Sequence, residues 1–271
     1  MLYKNLLILS FLFASLSAFG QSPWVDDKGS IYAQVSGTVI SYTDIFNIDG
    51  ERSQNTFETN DRSIGLFASY SLSDRTGIQL SLPFKSVETD GNSLNALGDI
   101  SVKLKHELFK SFPLTAFAGY TAPTATREGA LRTGYEQHGI DLGLSVGFTR
   151  NSAFGYITAG HRYRADIPNQ ITIDTEIGTK ANFGKRALYL FFHIDGALNL
   201  EDTTDPDGDA SVLYHNNGEY LSPGIKLSLN VINNWWLNFG TYGAITATSQ
   251  GASPSISLGI AYNRKTFSVE Q

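Results

Sequence analysis

The chain has 271 residues, no cysteine and a formal net charge of −6 at pH 7. Without cysteine there is no disulfide, no thiolate metal site and no lipid anchored on a Cys, and the acidic balance argues against a nucleic-acid partner, which calls for a basic patch. Charged side chains make up 17% of the chain, below the roughly 25% usual for soluble domains, while 26 glycines, 13 tyrosines and 17 phenylalanines suit strands and interfacial belts.

Residues 1–20 read as a secretory signal peptide. Lys4 supplies the positive start, Leu6 to Ala14 the apolar run, and Ala18 and Gly20 the small residues before a cleavage point at Gln21. The run is too short for a spanning helix, and no later segment has the roughly 20 consecutive apolar residues one requires. Residues 21–29 form a short N-terminal periplasmic segment or plug, 30–263 a barrel, and 264–271 a tail.

From there a two-residue rhythm takes over. Ile140, Leu142, Leu144, Val146 and Phe148 interleave with Asp141, Gly143, Ser145, Gly147 and Thr149, the pattern of a strand with one apolar and one wet face. In chain order, strands are expected over 30–42, 61–72, 77–86, 98–109, 113–122, 139–149, 153–164, 171–181, 187–200, 219–230, 235–246 and 255–263. Connections alternate between tight turns and long polar loops, the longest being the Asp-rich stretch 201–218. About twelve strands, an even number, with alternating short and long connections, define an all-β protein: a transmembrane, antiparallel, up-and-down β-barrel of the bacterial outer membrane.

Outward aromatics gather near strand ends. Tyr70, Phe148, Trp235 and Tyr262 fall on the short-turn rim, and Phe84, Tyr120 and Tyr163 on the long-loop rim, as two girdles at headgroup depth. A soluble β-sandwich also alternates, but it requires neither the paired rims nor the alternating loop lengths.

The chain resembles the outer-membrane barrel family associated with meta-pathway phenol degradation, distantly similar to long-chain fatty-acid outer-membrane channels. The resemblance rests on Ser81-Leu82-Pro83-Phe84, on Leu97-Gly98-Asp99-Ile100 followed by Lys103-Leu104-Lys105, on Leu221-Ser222-Pro223-Gly224-Ile225 and on Ser257-Leu258-Gly259-Ile260-Ala261-Tyr262. It implies a transporter that takes up hydrophobic or aromatic compounds. Such barrels commonly end on an aromatic that the barrel-assembly machinery reads. This chain runs on past Tyr262 to Gln271, so Tyr262 and Phe267 are both candidates.

Alternation also assigns the lumen. Lys85, Lys103 and Lys105 point inward from the third and fourth strands, and Asp141, Asp174, Glu176, His193 and Asp195 from the sixth, eighth and ninth. A two-residue turn at Asn151-Ser152 sets Asp141 opposite Arg162, and a symmetric loop about Ile167-Pro168 sets Asp174 opposite the same arginine, between two carboxylates its donor fork suits. Such a network either satisfies charge and stiffens the wall or sets up a transverse field across the pore. Tyr32, Phe67, Phe117, Tyr189 and Phe191 share the inward parity and either stack on an aromatic solute or pack against the N-terminal segment and Trp24.

The expected function is a passive outer-membrane channel for small hydrophobic or aromatic solutes. Its partners are the lipid bilayer, a small-molecule solute and, in biogenesis, the assembly machinery; no cofactor is implied. The alternatives are a non-conducting structural or adhesive barrel with ligand-binding surface loops and, less favoured, a lipid hydrolase. For hydrolysis only His161 lies outward at the long-loop rim, with Ile140, Leu142, Ile171 and Ile173 as expected neighbours, so no nucleophile or orienting acid is at hand. Asp202, Asp205, Asp207 and Asp209 are spaced for an oxygen-loving cation but lack the distal Glu of a calcium loop; a solvated turn serves equally.

Overall fold

In a computed structural model the described residues are 22–109, 111–184, 186–201 and 218–265. They form twelve antiparallel barrel strands: β1 (Ile31–Phe46), β2 (Arg52–Ser73), β3 (Thr76–Thr89), β4 (Asn92–Leu97, then Ile100–Phe109), β5 (Leu114–Ala122), β6 (Gly139–Arg150), β7 (Ala153–Arg164), β8 (Gln170–Phe183), β9 (Arg186–Asn199), β10 (Glu219–Ile232), β11 (Trp235–Tyr242, continued by Thr246–Thr248) and β12 (Gln250–Gly251, then Ser255–Arg264). Each pairs with its sequence neighbours, and the β1–β12 ladder closes the ring. Closure leaves no free edge, which is what lets strands cross lipid with every backbone group satisfied.

The burial pattern inverts that of a soluble protein. The least accessible side chains include Asp174, Glu176, His193, Gln79 and Lys226, whereas Val35, Ile64, Leu142, Leu144, Ile157, Ile225 and Ile260 are exposed. Adjacent Leu144 and Ser145 differ most plainly, at 52% and 1% exposure. An exposed apolar belt around a polar interior is the arrangement a lipid-facing tube requires. Trp235 shields Tyr262 at 5.2 Å between ring centres, and both lie on the short-turn rim, while Tyr120 stacks on His138 at the other.

The tight turns are built by residues that accept positive φ: Asn151 at 54°, Asn233 at 46° and Gly184 at 61°. The Asn151-Ser152 turn pairs Ala153 with Arg150, and this register sets Arg162 directly across from Asp141. The β7–β8 connection corrects one expectation. Arg162 faces Gln170, and Asp174 faces Thr158 instead. Arg164 donates its backbone N–H to Asn169 Oδ1 (3.0 Å) and its Nε to the Pro168 carbonyl (2.7 Å), and these bonds turn the chain earlier than a loop centred on 167–168 would.

Two expected loops are largely strand. β1 and β2 run 16 and 22 residues, against the roughly 9–11 a bilayer needs, so their hairpin projects beyond the membrane. The expected loop 87–97 is the tip of a β3–β4 hairpin that turns at Asp90 and Gly91, with φ of 49° and 72°. Outside lipid both faces are wet, so the alternation that marks a membrane strand is lost there. β4 breaks at Gly98 and Asp99, where the loop 123–138 is clamped. Asp99 accepts the N–H groups of Ala125 (3.2 Å) and Tyr135 (2.7 Å), and Thr133 Oγ1 donates to the Leu97 carbonyl (2.6 Å). Gly98 is required there, since a Cβ would lie 2.9 Å from the Thr133 carbonyl. Leu131 of that loop packs with Val87 and Leu94.

Candidate functional site: the lumen and its short-turn chamber

The lumen divides into a charged middle and an aromatic chamber at the short-turn end. In the middle, Arg162 Nε donates to Asp141 Oδ1 at 2.8 Å. Asp174 stands across from Asp195, and Glu176 across from His193, on the β8–β9 ladder. His193 Nδ1 lies 3.7 Å from Asp174 and 3.9 Å from Glu176, and Tyr220 donates its hydroxyl to Asp195 at 3.0 Å. Lys226 on β10, absent from the sequence assignment, joins this acidic side and donates to Glu176 at 3.0 Å. Burial of both side chains makes this pair part of the wall.

The three predicted lysines part company. Lys85, toward the long-loop end, sits 3.8 Å from Asp61. Lys103 lies over the Phe117 ring at 4.7 Å, a cation–π geometry. Lys105 donates to the backbone carbonyls of Ser22 and, at 3.4 Å, Trp24.

Phe117 has a packing task. It faces Gly143 across the β5–β6 ladder, and Gly143 faces Gly160. A Cβ on Gly143 would lie 2.5 Å from Phe117 Cζ and 2.4 Å from the Ala159 carbonyl. Gly143→Ala is therefore expected to destabilise the barrel by about 1–3 kcal/mol through overpacking. Urea unfolding followed by heat-modified gel mobility reads the loss; an unchanged midpoint would show that the ring gives way freely.

Tyr32, Phe67, Tyr189 and Phe191 gather around a cavity of about 540 Å³, together with Phe154, Tyr156 and Trp236. Tyr189 packs 5.6 Å from Trp236 and 6.1 Å from Phe191, Phe154 meets Phe191 edge-on at 5.4 Å, and Tyr32 meets Phe67 at 6.0 Å. These centroid separations and tilts are those aromatic pairs prefer. Phe154, Tyr156 and Trp236 have the same inward parity as the rings the sequence assigned, so alternation was the signal that could have found them. Ser22, Trp24, Val25 and Asp26 also line the cavity. The segment before β1 thus lies at this mouth, held by Lys28 N–H to Asp74 Oδ1 (2.9 Å) and Lys265 Nζ to Asp26 Oδ1 (2.6 Å).

Elsewhere, His161 lies across from Leu142 and Ile171, neighbours that supply neither a nucleophile nor an orienting acid. Asp202, Asp205, Asp207, Asp209 and Phe267 lie outside the described residues, as does the expected signal peptide.

A closed twelve-strand tube with an apolar belt and a polar, partly open interior defines an outer-membrane β-barrel of the architecture on which channels are built. Solved structures agree on the fold. An outer membrane channel from Pseudomonas putida F1 superposes with a TM-score of 0.67 at 14% identity, over 92% of this chain and 100% of that one. The translocator domain of the autotransporter NalP from Neisseria meningitidis superposes with a TM-score of 0.53 at 10% identity, over 88% of this chain and 89% of that one. At such identities the likeness is one of fold, and it bears out the expected resemblance to outer-membrane channel barrels at that level. No protein-family model and no curated protein matches the sequence.

Proposed function

We propose that the protein is a passive outer-membrane channel for small hydrophobic or aromatic solutes. The observation that carries this reading is the chamber of about 540 Å³ walled by Tyr32, Phe67, Phe154, Tyr189, Phe191 and Trp236. Its size falls in the roughly 300–1,000 Å³ range of small-molecule sites. Rings set edge-on and offset present both faces and edges to a planar guest, while Gln79, Ser69 and Ser228 on the same wall offer hydrogen bonds to its polar substituents. Passage is driven by the solute gradient alone.

Liposome swelling with phenyl β-glucoside and methyl β-glucoside tests this, because the two differ by the ring. A size-limited pore passes the smaller methyl compound faster; an aromatic-lined one reverses or levels the order. Each ring contact is worth about 0.5–1.5 kcal/mol, so Tyr189→Ala with Trp236→Ala should lower the phenyl preference about fivefold or more. Order by size alone in both proteins would sink the reading.

A second reading, a non-conducting barrel, is favoured by the N-terminal segment at the short-turn mouth and by the loop 123–138 clamped on Asp99 at the other. No swelling with either glucoside would favour it.

A further inference from the structure

The segment before β1 docks inside the wall as a guest would. Pro23 is fully buried, and its carbonyl accepts from Thr115 Oγ1. The carbonyls of Ser22 and Trp24 converge on the one ammonium of Lys105. The Trp24 ring meets Tyr156 edge-on, 6.4 Å between centres at 83°. Gly147 clears its seat, since a Cβ there would lie 2.5 Å from Pro23 Cγ and 2.9 Å from Trp24 Cζ2. The seat therefore holds an aromatic ring with two oxygen acceptors beside it.

The acceptors on Lys105 set it apart from four other cations of the described residues. Lys226 pairs with Glu176, Lys265 with Asp26, Lys85 with Asp61 and Arg162 with Asp141; each of those cations meets a carboxylate. Lys105, 5% exposed, donates to neutral carbonyls. These satisfy its hydrogen bonds but carry no charge; Asp26 and Glu107 act on it electrostatically without a direct ion pair, and a buried ammonium is costly without a close counter-charge. A carboxylate would supply both, through charge-assisted bonds about twice as strong as neutral ones.

We propose that the Lys105–Thr115–Gly147 seat is a binding site for small aromatic carboxylates, and that the segment 22–26 occupies it as a tethered competitor. This deepens the channel reading and rests on it. A short tether keeps the segment at an effective concentration on the order of millimolar, and an incoming acid must displace it. The acid's ring takes the place of Trp24 beside Tyr156 and the aromatic chamber, its carboxylate the place of the two carbonyls.

Calorimetric titration of the full chain in detergent with sodium benzoate and with benzamide, its neutral isostere, tests the assignment. Trp24 precedes the barrel strands, so Trp24→Ala leaves the wall intact. This variant should bind benzoate about tenfold more tightly than the parent, because the competing state is depopulated. Adding Lys105→Met should abolish that gain, roughly tenfold or more, and Lys105→Arg should keep it. Benzamide should change less than about twofold between Lys105 and Met in the same background. Heat-modified gel mobility confirms that each variant is folded. Equal response of benzoate and benzamide to Lys105→Met, or no gain from Trp24→Ala, would overturn the site. The swelling preference for phenyl glucoside would survive that result, whereas its loss together with absent binding of both probes would remove the channel reading too.

Discussion

Lys226→Met is expected to cost about 3–5 kcal/mol of barrel stability, the range for removing one partner of a buried ion pair. The cause is the carboxylate left behind. Glu176 and Lys226 are each only 5% exposed and 3.0 Å apart, and Glu176 also has His193 Nδ1 at 3.9 Å. With Lys226 gone, the Glu176 charge stays nearly inaccessible and loses its ammonium partner. Glu176→Gln in the same chain removes that charge, so the double variant should recover much of the loss; buried pairs replaced together are often close to neutral. Urea unfolding in detergent, read by heat-modified mobility, gives both values. A coupling below about 0.5 kcal/mol, or a double variant as unstable as the single, would show that the two side chains do not act as a unit.

Leu144→Arg should largely prevent assembly, while Ser69→Arg should not. Leu144 lies near the middle of β6, a strand of 12 residues, with its side chain turned to lipid, where an arginine costs about 2–4 kcal/mol at the bilayer midplane. Ser69 lines the chamber, where a guanidinium meets water and polar groups. The folded fraction after refolding into liposomes separates the two, and equal losses would mean that the inside and outside of the tube are misassigned. Ser145 would be a poor control despite its inward parity. It is buried and hydrogen-bonded to Thr158 at 2.7 Å, so a large side chain there strikes the wall.

That contrast marks what the sequence could and could not disclose. Period-two alternation placed the outside of the barrel correctly because lipid rewards every second residue, and the Asn151-Ser152 turn fixed β6 against β7 well enough to pair Asp141 with Arg162. Beyond the membrane the rule lapses, and the extensions of β1, β2 and β3 were invisible to it. One cue was still legible: Asp90-Gly91 is a two-residue hairpin turn in its usual dress. The β7–β8 register depended on side-chain bonds from Arg164 to the loop, which no spacing rule contains. Parity told which residues face inward but not which of them touch. Hence Lys226 among the acids, Phe117 laid on paired glycines, and the seat over Gly147 emerged only with the fold.

Conduction by this barrel is read most directly as ionic current. Purified protein added to a planar lipid bilayer should insert in discrete current steps, and Trp24→Ala should raise the step size by loosening the segment at the short-turn mouth. Insertion verified by protease-protected, heat-modifiable protein in the same lipid, yet with no current above the bare bilayer for either chain, would contradict it.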